Sequence, residues 1–170
     1  MFEATIRDYY TKSGRHTLPW RQTRDPYRIL VSEIMLQQTQ VSRVLTKYDE
    51  FLKAFPTISD LARAQTSRVL KLWQGLGYNR RALNLKRTAE IVARDYAGVF
   101  PTTATELEAL PGIGQSTRGA IMAFAHGKAT PYIETNIRTV YIHFFFKKQR
   151  GKVHDRDIMP LIEKTLDHNN

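Results

Sequence analysis

The sequence predicts an all-α protein. Apolar residues recur at three- and four-residue spacing in segment after segment, no stretch alternates apolar with polar residues, and helix-start and helix-stop residues flank the periodic runs. The first run, Phe2 to Lys12, sets Phe2, Ile6, Tyr9 and Tyr10 on one face and ends at Gly14. Asp25-Pro26 reads as an N-cap followed by Pro at the first helical position. It opens PYRILVSEIMLQQTQ, with Ile29, Leu30, Ile34, Met35 and Leu36 apolar. A further helix covers Val41 to Phe55 and is stopped by Pro56. Ser59 is the expected cap of the short helix DLARA, and Ser67 precedes RVLKLWQGLG, which closes at Gly75 and Gly77. Arg80 to Tyr96 is amphipathic, with Leu83, Leu85, Ile91 and Val92 among Lys and Arg, and Gly98 and Pro101 end it. Thr103 and Glu106 have the spacing of a capping box. Glu134 to Phe146 and Asp157 to Leu166 read as the last two helices.

At 170 residues and 42% hydrophobic content, the chain suffices for one domain or two small lobes around a shared core. Lys and Arg number 26 against 16 acids, a formal charge of +10, and that excess attracts a polyanion, most often nucleic acid. The chain has no cysteine, which excludes disulfides and thiolate metal sites. His16, His126, His143, His154 and His168 show no metal-ligand spacing. No segment approaches the ~18 consecutive apolar residues of a membrane span. The N-terminus lacks the apolar core of a signal peptide. The expected setting is a reducing compartment that holds DNA: cytoplasmic, and nucleoid-associated in a prokaryote.

Leu107 to Gly127 is the most informative segment. A helix ending at Leu110 meets the turn Pro111-Gly112-Ile113-Gly114, and a helix rich in small residues begins near Gln115. Two glycines around one apolar residue permit positive φ and leave backbone N–H groups uncovered. Those groups, with the N–H groups of Gln115, Ser116 and Thr117, stand at a helix N-terminus, where free donors and the helix dipole favour a phosphate. Ile113 is expected to turn inward and pin the bend. LPGIG resembles a helix-hairpin-helix, which grips the DNA backbone without reading bases.

Glu33 carries the chemical signal. Its neighbours at i−4, i−3 and i+3 are Ile29, Leu30 and Leu36. A carboxyl on an apolar face is poorly solvated, so its neutral form is favoured, and a carboxylic acid that keeps its proton near neutral pH serves as a general acid. A helix-end Glu rescued by an Arg or Lys fits the same pattern.

LPWR at Leu18 to Arg21, DPYRILVSEIMLQQTQV at Asp25 to Val41, GLGYNRRALNL at Gly75 to Leu85 and LPGIGQSTRGAI at Leu110 to Ile121 occur in that order. Each resembles a segment of the MutY-type adenine glycosylases, members of the helix-hairpin-helix (HhH-GPD, endonuclease-three-like) superfamily, and the resemblance runs from Phe2 to about Leu166. It implies a helix-hairpin-helix glycosylase fold in which two helical lobes flank a DNA-binding groove. It implies one catalytic domain over 1–170, with a middle helical barrel at about 22–130 and the terminal helices forming the second lobe. Neither the four-cysteine iron–sulfur loop of many relatives nor their C-terminal 8-oxoguanine-reading domain is expected in it.

The resemblance also assigns roles. Glu33 falls on the acid that protonates the purine leaving group. Glu134 falls on a position that is usually Asp, with Asn136 on the accompanying Asn; one extra methylene moves the carboxylate, and an ångström of misplacement can cost ~10²-fold in rate. Capping of the next helix by Glu134 or Thr135 is the plainer reading of that segment. Ser116 stands where bifunctional relatives carry a Lys that forms a Schiff base, which implies base release without strand cleavage. Tyr78 corresponds to a wedge beside the lesion, and Gln38, with Gln37 next to it, to the side chain that fills the gap in the opposite strand. Trp20 and Arg21 correspond to pocket-lining residues. Main-chain carbonyls of Glu108, Leu110 and Ile113 would hold a Na⁺ or K⁺ ion at the hairpin. The implied function is removal of adenine opposite 8-oxoguanine or guanine in double-stranded DNA, by a monomer without other cofactors. Two alternatives stay open: a glycosylase for T or U, which the Glu134 departure keeps alive, and a non-catalytic DNA-binding module.

Overall fold

The computed structural model describes residues 2–149 and 151–167, and within them the secondary structure is helical throughout. His168 lies outside the described residues. Ten α-helices follow in order: α1 Phe2–Ser13, α2 Pro26–Leu36, α3 Val41–Ala54, α4 Ile58–Arg63, α5 Thr66–Trp73, α6 Arg80–Asp95, α7 Ala104–Glu108, α8 Gln115–Phe124, α9 Thr135–Phe145 and α10 Asp155–Thr165. A 3₁₀ turn, Pro19–Arg21, precedes α2.

The centre of the fold is α2. The Asp25 carboxylate accepts the Tyr27 N–H at 2.8 Å, and Pro26 loses no bond at the first helical position. Tyr27, Ile29, Leu30, Val31, Ser32, Ile34 and Met35 are all buried, so this helix is apolar nearly all round. It packs against α3, α6 and α8, while α4 lies along α6. Phe51, Phe55, Trp73, Leu85 and Ile121 complete the main core.

A second, smaller cluster joins the ends of the described chain. Tyr141, Val153, Ile158 and Ile162 form its centre, with Phe2 of α1 and Ile133, Ile137 and Phe146 packed against it. The path thus runs from this cluster into the main core and back.

Several helix starts differ from those expected. Thr57, not Ser59, caps α4: its hydroxyl accepts the Asp60 N–H and the Asp60 carboxylate accepts the Thr57 N–H, both at 3.1 Å, a reciprocal box that Ser59 has no partner to form. Gln65 rather than Ser67 precedes α5, with no side-chain cap. At α7 only half of the expected box forms, because the Thr103 hydroxyl accepts the Glu106 N–H while donating to the Glu106 carboxylate. Helix α10 begins two residues before Asp157, whose carboxylate accepts the His154 N–H at 2.9 Å and so works from the third helical position. Helix α6 stops as Ala97 and Gly98 turn left-handed and the Gly98 N–H closes back on Val92 O at 2.9 Å.

Candidate active site

The hairpin joins α7 to α8 through Pro111–Gly114. Gly112 has φ +80°, and a β-carbon there would also stand 2.9 Å from Asn84 Cβ on α6, so the position needs glycine on two counts. Gly114 does not use the positive φ that glycine permits. At φ −93° and ψ −178° it is the extended N-cap residue of α8, and nothing lies within 4 Å of a β-carbon built on it. No side chain caps α8, which leaves the first-turn N–H groups of Gln115, Ser116 and Thr117 without a capping partner, although Thr117 itself is buried. Ile113 is buried and its N–H closes on Leu110 O at 3.2 Å. Two contacts absent from the motif brace the turn: the Thr88 hydroxyl of α6 donates to Pro111 O at 2.8 Å, and Arg118 pairs with Glu108 at 3.1 Å.

Glu33 sits past the middle of α2, half-buried, with no hydrogen bond or ion pair among the described residues. The Arg or Lys that would rescue a buried helix-end Glu does not partner it. Burial pushes its carboxyl up to about 7, and the nearby Glu134 charge adds to the effect.

Glu134 is the N-cap of α9. One carboxylate oxygen accepts the Ile137 N–H at 2.9 Å, and the other accepts from Asn136 Nδ2 at 3.2 Å. Both oxygens are thus oriented by the helix start, where the dipole favours negative charge. Glu134 rather than Thr135 is the cap.

Tyr132 was not singled out in the sequence. Its ring packs on Gly119 of α8, where any β-carbon would collide with it. Burial first, then the charges of Glu33 and Glu134, push its phenol up to about 12, so it stays protonated beside both carboxyls. With Glu134 and Asn136 it lines a groove of about 780 Å³ whose other wall includes Tyr9 and Tyr10 of α1. The one available signal was a glycine inside a helix, which costs stability unless a neighbour demands the space.

Gln38 and Tyr78 share a second recess of about 290 Å³ with Gln37, Arg80, Arg81 and Asn84. Both stand in the left-handed region, at φ +55° and +48°, and both are exposed. Ser116 is half-buried in the first turn of α8. Trp20 is buried in the main core, edge-on to Tyr48 at 5.3 Å, and Arg21 is exposed with its guanidinium over the Tyr10 ring. Neither contacts Glu33, Glu134 or Tyr132 through a hydrogen bond, ion pair or ring contact among the described residues. No group of three or more His, Asp or Glu among the described residues is arranged to hold a metal ion. No helix among them is long and apolar enough to cross a membrane.

An all-helical chain with an uncovered Gly-turn at a helix N-terminus and a proton-holding carboxyl beside an oriented carboxylate defines a helix-hairpin-helix protein with a candidate acid–base site. Comparison with known proteins agrees. The sequence profile of the HhH-GPD superfamily of base excision DNA repair proteins matches residues 31–164, and the chain belongs to that superfamily. It is 40% identical over 167 residues to an adenine DNA glycosylase of Buchnera aphidicola subsp. Baizongia pistaciae (strain Bp), covering 98% of this chain and 46% of that protein. It is 43% identical over 139 residues to the Mycobacterium tuberculosis (strain ATCC 25618 / H37Rv) adenine DNA glycosylase, covering 81% of this chain and 45% of that one. The chain spans about half the length of these relatives. Among solved structures, a thermostable thymine-DNA glycosylase superposes with a TM-score of 0.89 at 31% identity, covering 99% of this chain and 78% of that one. An endonuclease III–DNA covalent intermediate shares the fold, with a TM-score of 0.79 at 19% identity over 98% of this chain and 79% of that one.

Proposed function

We propose that this chain is the catalytic part of a monofunctional DNA glycosylase that releases adenine mispaired with 8-oxoguanine or guanine. The observation that carries the reading is the pairing of a carboxyl held near neutral pKa, Glu33, with an oriented carboxylate, Glu134. The kinship with adenine DNA glycosylases supports adenine as the base. A base inside a duplex is out of reach and must be flipped into a pocket. The Glu33 O–H then donates its proton to a ring nitrogen of the flipped adenine. The C1′–N bond breaks, its electron pair leaves with the purine, and neutral adenine departs. The Glu134 carboxylate faces the positive charge that develops on the sugar, and Asn136 holds its free oxygen in place. Water adds at C1′, its spare proton returns to the Glu33 carboxylate, and an abasic site remains. Ser116 offers no amine, so no Schiff base forms from that position.

The uncovered N–H groups of Gln115 to Thr117 receive a phosphate of double-stranded DNA, with Gly112, Ile113 and Gly114 shaping the turn. Tyr78 and Gln38 act on the two strands beside the extruded base, with Gln37 next to Gln38. Neither the Glu108 nor the Ile113 carbonyl accepts a main-chain hydrogen bond among the described residues, so with Leu110 O they suit a Na⁺ or K⁺ ion that would bring its positive charge to the phosphate. The working unit is a monomer.

The test is single-turnover base release from a duplex with A opposite 8-oxoguanine, followed by alkali, for the wild type and Glu33→Gln. Alkali-dependent breaks that vanish in Glu33→Gln are expected; strand cleavage without alkali, or breaks that survive the substitution, would overturn the assignment. A second reading, removal of thymine from mismatches, is favoured by the closeness to the thymine-DNA glycosylase structure and is checked with T·G and U·G duplexes.

A further inference from the structure

Arg81, near the start of α6, joins two turns that are far apart in sequence. Its Nη1 donates to Ile34 O at 2.8 Å, Met35 O at 3.1 Å and Gln37 O at 2.5 Å. Its Nη2 donates to Thr39 Oγ1 at 3.1 Å, Leu76 O at 2.8 Å and Gly77 O at 3.2 Å. No carboxylate among the described residues pairs with it, so every one of these acceptors is a carbonyl or a hydroxyl. The guanidinium lies over the rings of Trp73 and Tyr78, 5.7 and 5.6 Å from their centroids. Its position at the C-terminus of α2 is one where free carbonyls and the helix dipole both favour a cation. The Thr39 hydroxyl lies 3.3 Å from Gln37 O and 3.4 Å from Leu76 O, so it too touches both turns.

These turns carry Gln38 and Tyr78 in left-handed backbone, a conformation that costs a non-glycine residue energy and persists only where the surroundings hold it. A planar fork with five donors can span two chain segments at once, whereas an ammonium is a point donor. We infer that Arg81 is a positioning residue that locks the Gln37–Thr39 and Gly75–Tyr78 turns into one rigid rim, so that the two side chains entering the duplex advance together and in fixed register with the helix bearing Glu33. Arg81 itself touches no base; it sets the geometry of the residues that do. The part of this inference that concerns DNA rests on the glycosylase reading, whereas the clamp does not.

The experiment compares wild type, Arg81→Lys and the milder Thr39→Val, each first checked for folding by circular dichroism. Amide hydrogen exchange reads the clamp without DNA. In Arg81→Lys, exchange at the hydrogen-bonded amides of Thr39 and Leu76, one in each turn, is expected to rise together by about tenfold or more, with a smaller rise at both in Thr39→Val and none at Leu30–Met35. Loosening of one turn alone, or of neither, overturns the inference. Single-turnover release of adenine reads the consequence, from a mismatched duplex and from one in which adenine faces an abasic gap and needs little unstacking. Arg81→Lys is expected to lose about tenfold on the first and less than about twofold on the second, with the midpoint of its pH profile unmoved. Equal losses on both substrates overturn the proposed register. If the wild type releases adenine from neither duplex, the glycosylase reading fails and the exchange measurement still decides the clamp.

Discussion

The Tyr132 ring packs on Gly119 with no room for a β-carbon between them, and this contact holds the phenol beside Glu33 and Glu134. Substituting Gly119 by Ala improves helix propensity by up to ~1 kcal/mol, but overpacking costs ~1–3 kcal/mol. The expected outcome is a folded protein with a slightly lower melting temperature and base release reduced by about tenfold or more, as Tyr132 is pushed out. Tyr132→Ala opens Glu33 to water and shifts its titration down from about 7. A pH–rate profile that does not move in Tyr132→Ala would show that the ring does not shield the acid.

The acid itself sets a pH dependence. If Glu33 is the proton donor, single-turnover base release should fall as pH rises through about 7. The stability linkage has the same direction. A carboxyl raised from its ordinary 4.5 to about 7 contributes fully below 4.5, and that contribution is lost as pH climbs to about 7. The loss is ~3–4 kcal/mol at most, from ~1.4 kcal/mol per unit. Glu33→Gln should therefore melt higher than wild type at pH 8, and the gap should close near pH 5, while base release is abolished. Equal melting temperatures at pH 8 would mean that the carboxyl is well solvated.

Glu134 caps α9, and substitutions separate that role from the one proposed for its charge. Glu134→Ala removes the cap of α9, at ~1 kcal/mol, together with the carboxylate. Glu134→Gln keeps an acceptor for the Ile137 N–H and removes only the charge. Both should lower base release by ~10²-fold or more if the charge stabilises the sugar cation. Both should also move the Glu33 titration downward, since the Glu134 charge is one of the two causes raising it. Retained activity in Glu134→Gln would reduce this residue to a helix cap.

At the hairpin, the two glycines should respond differently. Gly112→Ala meets both a left-handed φ and Asn84, so loss of stability by ~1–3 kcal/mol is expected, with weaker DNA binding. Gly114→Ala meets neither, so its melting temperature should stay close to that of wild type while the methyl group stands in the open space through which a phosphate would approach α8. A salt titration of DNA affinity checks this; unchanged affinity in Gly114→Ala would place the phosphate elsewhere.

The elements that can be read from sequence are those whose cause is local. Asp25-Pro26 announces α2, the Gly112 turn announces the hairpin, and apolar neighbours one turn away announce the raised pKa of Glu33. What could not be read depends on residues distant in the chain. Arg81 reaches carbonyls 44 to 47 positions away, and nothing in GLGYNRRALNL says which of its arginines turns inward. Tyr132 finds its place only once α8 lies beside it. Ser59 is the expected cap of α4 until the Asp60 carboxylate is seen to reach back to Thr57. Gly114 is a glycine without positive φ, which its neighbours in sequence do not reveal.

The near-complete burial of α2 bears on how such a site changes over generations. Between Pro26 and Leu36 only Arg28 is exposed, so nearly every substitution there disturbs packing against three other helices. Glu33 thus rides on a part of the protein with little latitude to drift. Tyr132 and Glu134 lie instead on the irregular stretch between α8 and α9, where side chains can be exchanged at smaller structural penalty. On the proposed function, new base preferences would arise by retouching that stretch around a fixed Glu33, and a saturation library over positions 128–136 is where altered selectivity should be found first.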